Sequence, residues 1–333
     1  MDPLSQGVLG GSASLSVANR AHIVKAIFCG VLAGMAPDLD AFIRSDQDPL
    51  LYLEYHRQFT HALIFIPFGA LICALIFWAS FARKLPFSRV YLYCLVGYAT
   101  HGLLDSCTTY GTQLFWPFSN ARVAWHTVSI IDPLFTVPLV LLVILGALKR
   151  SKHLGRIALL WALTYLAIGA WQGHRAEMFG RQLASSRGHA PARLEAKPSF
   201  ANILVWKIIY QVDGYYYVDA VHLGLQTTFY AGKSIPRLDV AKDLPWLDQN
   251  SQQARDIERF RWFSNDYLAL STEHPNFIID MRYSLLPNQV TGMWGIKLFP
   301  YKTSNEHVEF IWHRRTTRED TQSLLNMVLG RSP

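Results

Sequence analysis

Charge is scarce in this chain. Only 17% of its 333 residues are charged against 51% hydrophobic, and the mean hydropathy of +0.14 is apolar for a soluble protein of this length. Cysteine is equally sparse: Cys29, Cys73 and Cys94 lie in apolar helical stretches, Cys107 stands alone near a loop, and the C-terminal part has none. That spacing excludes a disulfide framework, while an outward-facing domain without cysteine remains compatible with an oxidising compartment. Met1–Gly11 lacks a basic n-region and contains Asp2, so no cleavable signal peptide is expected and insertion would rely on internal spans. Internal repeats and low-complexity tracts are also missing, which excludes a solenoid.

The apolar residues are clustered. Ala62–Ala82 carries no ionisable side chain except Cys73 and is about long enough, at 1.5 Å per helical residue, to cross a ~30 Å hydrocarbon layer. Val90–Leu104, Pro133–Leu148 and Ile157–Trp171 are shorter, and their repetition with basic punctuation between them predicts further spans extended by neighbouring residues. The formal net charge of +7 and pI near 9.2 invite a nucleic-acid reading. The basic residues argue against it, because many sit in loops beside spans: Arg83, Lys84 and Arg89 in one, Lys149, Arg150, Lys152 and Arg156 in another. Two candidate spans separate these loops, so both lie on one side, cytoplasmic by the positive-inside rule. The segment before Ala62, the loop Ser106–Ile131 and everything after Trp171 are then expected outside, in a bacterium the periplasm.

The expected architecture is an α-helical multi-pass membrane domain followed by a smaller α+β, strand-rich soluble domain: 1–184, a linker 185–198, then 199–333. Asp2-Pro3 reads as a helix start, and the small-residue stretch Gly7–Ser16 allows close helix approach. A second apolar helix, about Ala21–Ala36, ends at Pro37. Beyond Ser185–Pro198 the pattern turns strand-like. Ile203–Tyr210 and Tyr215–His222 flank an Asp213-Gly214 hairpin signal, with further strands expected at Phe277–Tyr283, Gly292–Phe299 and Val308–Arg314 around a helix Ser251–Phe263.

Ionisable groups beside spans are costly, by at least ~2.5–3.5 kcal/mol at mid-bilayer, and call for a reason. Asp38 and Asp40 follow an apolar helix, His56 and His61 bracket the entry to the long span, His101 and Asp105 end the next, and Asp132 begins a third. His101 and Asp105, four apart, share a helix face and can reach one point, a donor pair suited to a divalent ion; a simple His–Asp hydrogen bond is the alternative. His56 and His61 are five apart and need a break between them to converge, with Thr60 as a plausible N-cap; the alternative is an interfacial anchor. Asp38 and Asp40 can converge in an irregular turn after Pro37 or form a solvated helix end. Asp132-Pro133 repeats the cap grammar of Asp2-Pro3. The aromatic loop Thr108–Asn120 reads as an interfacial belt or as the lipid-contacting rim of a site.

The ordered set Asp2-Pro3-Leu4-Ser5-Gln6 with Gly10, Pro37-Asp38-Leu39-Asp40, His56-Arg57 with Thr60-His61, His101 with Asp105, Tyr110-Gly111-Thr112 with Trp116-Pro117, and Ile131-Asp132-Pro133 resembles the inner-membrane metal-dependent hydrolases of the YdjM type. The resemblance covers about residues 1–150. Gln58, Ala62 and Gln6 depart from the pattern, which usually has Gly and Ser at the first two positions and often His at the third. The resemblance implies a helical, metal-bearing fold, akin by fold analogy alone to zinc phospholipase C and P1-type nucleases.

These readings converge on a membrane-bound hydrolase of the bacterial inner membrane. Asp38, His61, His101 and Asp105 are the foremost ligands, then His56 and Asp40; the cofactor is a divalent metal ion, zinc first and manganese second. Arg57 is expected to hold a substrate phosphate or carboxylate, and Asp40 or Asp132 to act as general base. A membrane lipid, or a lipid-linked ester or phosphoester, is the expected partner, and nucleic acid is not. A transporter or proton relay using the same residues would need some of them at mid-depth, and a scaffold with a partner-binding C-terminal domain would bind no metal. His222, His274, His307 and His313 show no ligand spacing.

Overall fold

Apolar helices with sharp ends build the first half of the chain. The computed structural model describes residues 1–312 and 317–332, so His313 and the end of the expected strand Val308–Arg314 lie outside the described residues. The Asp2 carboxylate accepts from the Ser5 amide at 3.0 Å and Pro3 opens α1 (Pro3–Val17). α2 (Ile23–Met35) gives way before Pro37 to a 3-10 stretch, Ala36–Phe42, so the chain tightens there instead of leaving the helix. Next come α3 (Leu51–Tyr55), α4 (Ile66–Ser80), α5 (Phe87–Ser106), α6 (Pro133–Leu148) and α7 (Lys152–Ser186). Two compact units result: Met1–Phe42, Tyr55–Trp171 and Phe200–Asn202 form one, and Ile43–Glu54, Gln172–Ser199 and Ile203–Pro333 form the other.

In the helical unit α1 packs antiparallel on α2 through glycine. A Cβ at Gly30 would lie 2.4 Å from the Gly10 carbonyl oxygen and 2.2 Å from Ser14 Oγ, so only hydrogen lets the two backbones approach this closely. Three helical stretches among the described residues are long and apolar enough to cross a membrane, namely Arg20–Phe42, Leu63–Ser80 and Lys152–Ser186; α6 is apolar but shorter. The expected span Ile157–Trp171 lies inside the third. Val90–Leu104 is the middle of α5, an inner helix of 20 residues that packs against α1, α2 and α4 and is more polar than those three stretches. Its polar residues are sheltered by neighbouring helices, with His101 and Asp105 fully buried. By contrast only 22% of the Leu63–Ser80 stretch is buried, the exposure of a lipid-facing helix.

The second unit holds two four-stranded antiparallel sheets. The first contains β1 (Arg193–Pro198), β2 (Val205–Val212), β3 (Tyr215–Leu223) and β4 (Thr227–Pro236) in that order. Segment 185–198, expected as a linker, therefore carries the end of α7 and a paired strand: Leu194 and Ala196 are buried and the whole strand registers against β2. The Asp213-Gly214 hairpin forms as expected, with φ of 48° and 78° matching the two positive values of a tight primed turn. After α8 (Val240–Asp243) and α9 (Gln252–Phe263), capped by Ser251, the second sheet runs β5 (Leu268–Leu270), β6 (Phe277–Asp280), β7 (Trp294–Lys297) and β8 (Glu309–Trp312), and α10 (Arg318–Val328) closes the described chain. Ile209, Tyr216 and Val218 of the first sheet share a core with Tyr267, Phe277 and Ile279 from the second.

Alternation along β2 puts Lys207 on the same inner face as Ile209. Its ammonium donates to Ser284 Oγ at 2.9 Å and to the Gln289 carbonyl at 3.2 Å. Burial pushes its pKa down to about 7, with Asp280 opposing and Lys197 adding to the shift. Between pH 7 and the ordinary value near 10.5 the unfolded chain thus holds one more proton than the folded one, so stability rises with pH across that window by up to about 1.4 kcal/mol per unit. Denaturant unfolding of the full chain at pH 7 and pH 9 should show this rise in wild type and a smaller one in Lys207→Met; equal slopes in the two proteins would refute it.

Candidate metal centre

The donors come from four separate places in the helical unit: the 3-10 stretch with Asp38 and Asp40, the break after α3 with His56 and Arg57, the 3-10 turn Phe59–His61, and the last turns of α5 with His101 and Asp105. The break expected between the two histidines is made at Arg57, whose φ of 67° ends the helical run. Gly102 admits His61, since a Cβ there would meet the His61 carbonyl oxygen at 2.2 Å.

Asp38, His61, His101 and Asp105 each offer a ligand atom, and these atoms all lie within 4.8 Å of one another. The two Nε2 atoms are 2.9 Å apart; Asp38 Oδ1 is 3.6 Å from that of His61 and 3.4 Å from that of His101, and Asp105 Oδ2 is 3.3 Å and 3.7 Å from them. A tetrahedral zinc site with bonds near 2.0–2.1 Å has donor–donor edges of roughly 3.3 Å, which these distances bracket.

Proton placement supports the fit. His101 Nδ1 lies 2.6 Å from the Gly34 carbonyl oxygen, an acceptor only, so Nδ1 carries the hydrogen and Nε2 the lone pair. His61 Nδ1 lies 3.1 Å from Asp40 Oδ2 and 3.0 Å from Thr60 Oγ1, whose own hydrogen goes to Asp40 at 2.7 Å; it too is therefore the donor nitrogen. Two lone pairs and two carboxylates then face one point. Burial disfavours a charged imidazole at His61, yet Asp105, Asp38 and Asp40 outweigh it and raise its pKa to about 10. The cluster therefore favours positive charge, and its donors could hold a metal ion.

The remaining predicted residues are placed differently. Asp40 is a bracket: its oxygens receive His56 Nδ1 at 2.7 Å, the Arg57 amide at 3.1 Å, and Thr60 and His61 as above. With Asp38 and Asp40, His56 forms a second possible donor group, and burial lowers its pKa while the hydrogen bond to Asp40 raises it, the net being downward. Arg57 reaches the cluster, but its Nε lies 3.0 Å from Asp105 Oδ2, its Nη1 donates to Thr108 Oγ1 at 3.0 Å, and it stacks over Tyr110 at 4.5 Å, so it faces Asp105 and the protein interior. Asp132 is not brought in. It caps α6 through the Leu134 and Phe135 amides at 3.1 Å and 3.3 Å and accepts the Tyr165 hydroxyl at 2.9 Å, the cap reading of Asp132-Pro133. Thr60 caps no helix, its hydroxyl being engaged by Asp40.

Four contributors were not assigned to the site from the sequence. Gln6 Nε2 donates to Asp105 Oδ1 at 2.8 Å, Thr108 anchors Arg57, and the Gly34 carbonyl orients His101; the Met1 amine also pairs with Asp105 Oδ1. Of these only Gln6 and Thr108 carry a side-chain signal.

A family model described as YdjM inner membrane protein matches residues 1–176. The chain is 30% identical over 128 residues to the protein YfhP of Bacillus subtilis (strain 168), covering 38% of each chain. It is 33% identical over 110 residues to the inner membrane protein YbcI of Escherichia coli (strain K12), covering 31% of this chain and 61% of that one. Less than two thirds of either relative's length is therefore spanned. No solved structure matches.

Asp40→Asn should loosen both histidines it orients while keeping the side-chain volume. The expected outcome is a 10–100-fold weaker zinc affinity in titration with a competing chelator, at unchanged helix content; an unchanged affinity would remove Asp40 from the site.

Proposed function

The chain belongs to the YdjM inner membrane protein family, and from that membership and its four converging donor atoms we propose that it is a membrane-bound metal-dependent hydrolase. The observation that carries the reading is the pair of His61 and His101 Nε2 lone pairs aimed at one point between two carboxylates. Asp38, His61, His101 and Asp105 would hold the ion, zinc by donor type with manganese as the alternative. Bound there, it would supply Lewis acidity, lowering the pKa of a water toward about 7 and polarising a carbonyl or phosphoryl oxygen.

The chain's own residues have distinct tasks. His56 is assigned the general base: its Nδ1 proton is fixed by Asp40 at 2.7 Å, which leaves Nε2 as the basic nitrogen, and its lowered pKa keeps it neutral near pH 7. Asp40 is then the orienting partner of the base. Arg57 holds Asp105 in place and adds fixed positive charge behind it. Substrate would enter past Asp38, whose side chain is 23% exposed while those of His61, His101 and Asp105 are fully enclosed. Exposed Leu39 and Phe42 in the same stretch, and Phe118 in the aromatic loop, favour an ester or phosphoester carried by a lipid. The cluster lies at helix ends, which argues against a relay through the bilayer. With the basic turns on the cytoplasmic side, the site and the C-terminal domain would face the periplasm.

Purified wild type should carry about one equivalent of metal or take it up on titration, and hydrolyse one of a panel of aryl esters, phosphodiesters and lipid phosphoesters. Chelation should abolish that turnover and zinc or manganese restore it. His101→Ala should lose the ion, whereas His56→Gln should keep it and lose roughly 10²–10⁴-fold in rate. Metal-free wild type that binds no added ion would sink the proposal.

A further inference from the structure

At the ends of the helices remote in sequence from the metal ligands, the helical unit has a second concave site. It has a volume of about 410 Å³ and is formed where α1 turns into α2 and α6 turns into α7, lined by Asn19, Arg20, Lys149, Arg150, Lys152 and His153 with Ala18, Ile23 and Ser151. Among the described residues no carboxylate lines it. That volume is within the range of small-ligand sites.

The electrostatics are one-sided. Four cations converge at the start of α7, where the helix dipole is already positive and the first turn contains no acidic residue. Among the described residues none of the four has an ion-pair partner. Like charges gathered at this end of a dipole repel one another, and an anion relieves that repulsion.

Position narrows the anion. Arg20 opens the apolar stretch Arg20–Phe42, Lys149 follows α6 directly, and Lys152 opens Lys152–Ser186, so the pocket sits where membrane-crossing helices leave the hydrocarbon. The same helix ends expose apolar side chains, with Val24 49%, Leu148 75% and Ile157 49% exposed. A ligand with a phosphate head and hydrocarbon tails satisfies both zones, and basic pockets between transmembrane helices take anionic headgroups. We propose that this pocket binds the phosphate of an anionic phospholipid. Oriented water and small anions lack the apolar half of that match.

A variant can separate binding from folding. Arg150 has a φ of 48° just after α6, where the Ser151 amide returns to the Gly146 carbonyl at 3.0 Å, a left-handed closing position that glycine prefers. Arg150→Gly/Lys152→Gln should therefore unfold at a temperature no lower than wild type. The experiment titrates detergent-solubilised full chain with dioctanoyl phosphatidylglycerol, dioctanoyl phosphatidylcholine and inorganic phosphate, reading intrinsic tryptophan fluorescence and native mass spectra. The expected result is saturable binding of the glycerol lipid, at least tenfold weaker binding of the choline lipid and of inorganic phosphate, and at least tenfold loss in the double variant. Equal affinity for the two lipids, or an unaffected variant, overturns the proposal. Inorganic phosphate binding as tightly as the glycerol lipid would assign the pocket to the free anion and overturn the lipid. Metal binding is not involved in any of these readouts.

Discussion

Two imidazole nitrogens held 2.9 Å apart, each deprived of a hydrogen by what its other nitrogen touches, set the condition that the helical unit has to meet. Left to themselves, two lone pairs and two carboxylates in a buried space repel, and the arrangement persists only with positive charge among them. The rest of the site can be understood as what keeps them there. The Gly34 carbonyl turns His101, Asp40 turns His61, and Gln6 and Arg57 secure the two oxygens of Asp105. Asp40 has the most extended part, since it binds His56, His61, Thr60 and the Arg57 amide at once and so ties the break after α3 to the 3-10 stretch.

That convergence needs close-packed helices. Residues 38, 61, 101 and 105 can meet because α1, α2 and α5 approach to backbone contact at Gly10 and Gly30, and because Gly102 yields space to the carbonyl of His61. The local backbone is bent to match. Arg57 adopts a left-handed conformation that a long side chain ordinarily avoids, at the point where the chain must turn two histidines five residues apart toward the same region. Strain of this kind persists where surrounding contacts over-determine it, and Arg57 is held by its backbone amide, by Asp105, by Thr108 and by the Tyr110 ring.

A division of charge along the helices follows. Carboxylates and imidazoles gather where α2 ends, where α4 and α6 start and where α5 ends, and cations gather at the turns between α1 and α2 and between α6 and α7. Between these ends the helices are apolar, as a hydrocarbon layer requires. Such separation lets one bundle carry a buried His–Asp cluster and an exposed basic pocket with the low dielectric of its middle between them.

Much of this was legible in the amino-acid order. Long uncharged runs can be satisfied only in lipid or in a core, Asp-Pro marks a helix start because proline needs no amide partner there, and Asp213-Gly214 marks a tight turn because both positions need positive φ. The recurrence of His and Asp at the ends of apolar runs pointed to Asp38, His61, His101 and Asp105 because an ionisable group there is too costly without a partner. Tertiary structure alone decided the roles inside that set. Nothing local distinguishes Asp38, which faces the cluster, from Asp40, which braces it, since each is a carboxylate beside the same helix end; of the three only Asp132, before Pro133, carried a local cap signal. It likewise made α5 an inner helix and drew segment 193–198 into a sheet, because sheltering of polar groups and strand pairing depend on which distant residues come alongside, and that is a property of packing.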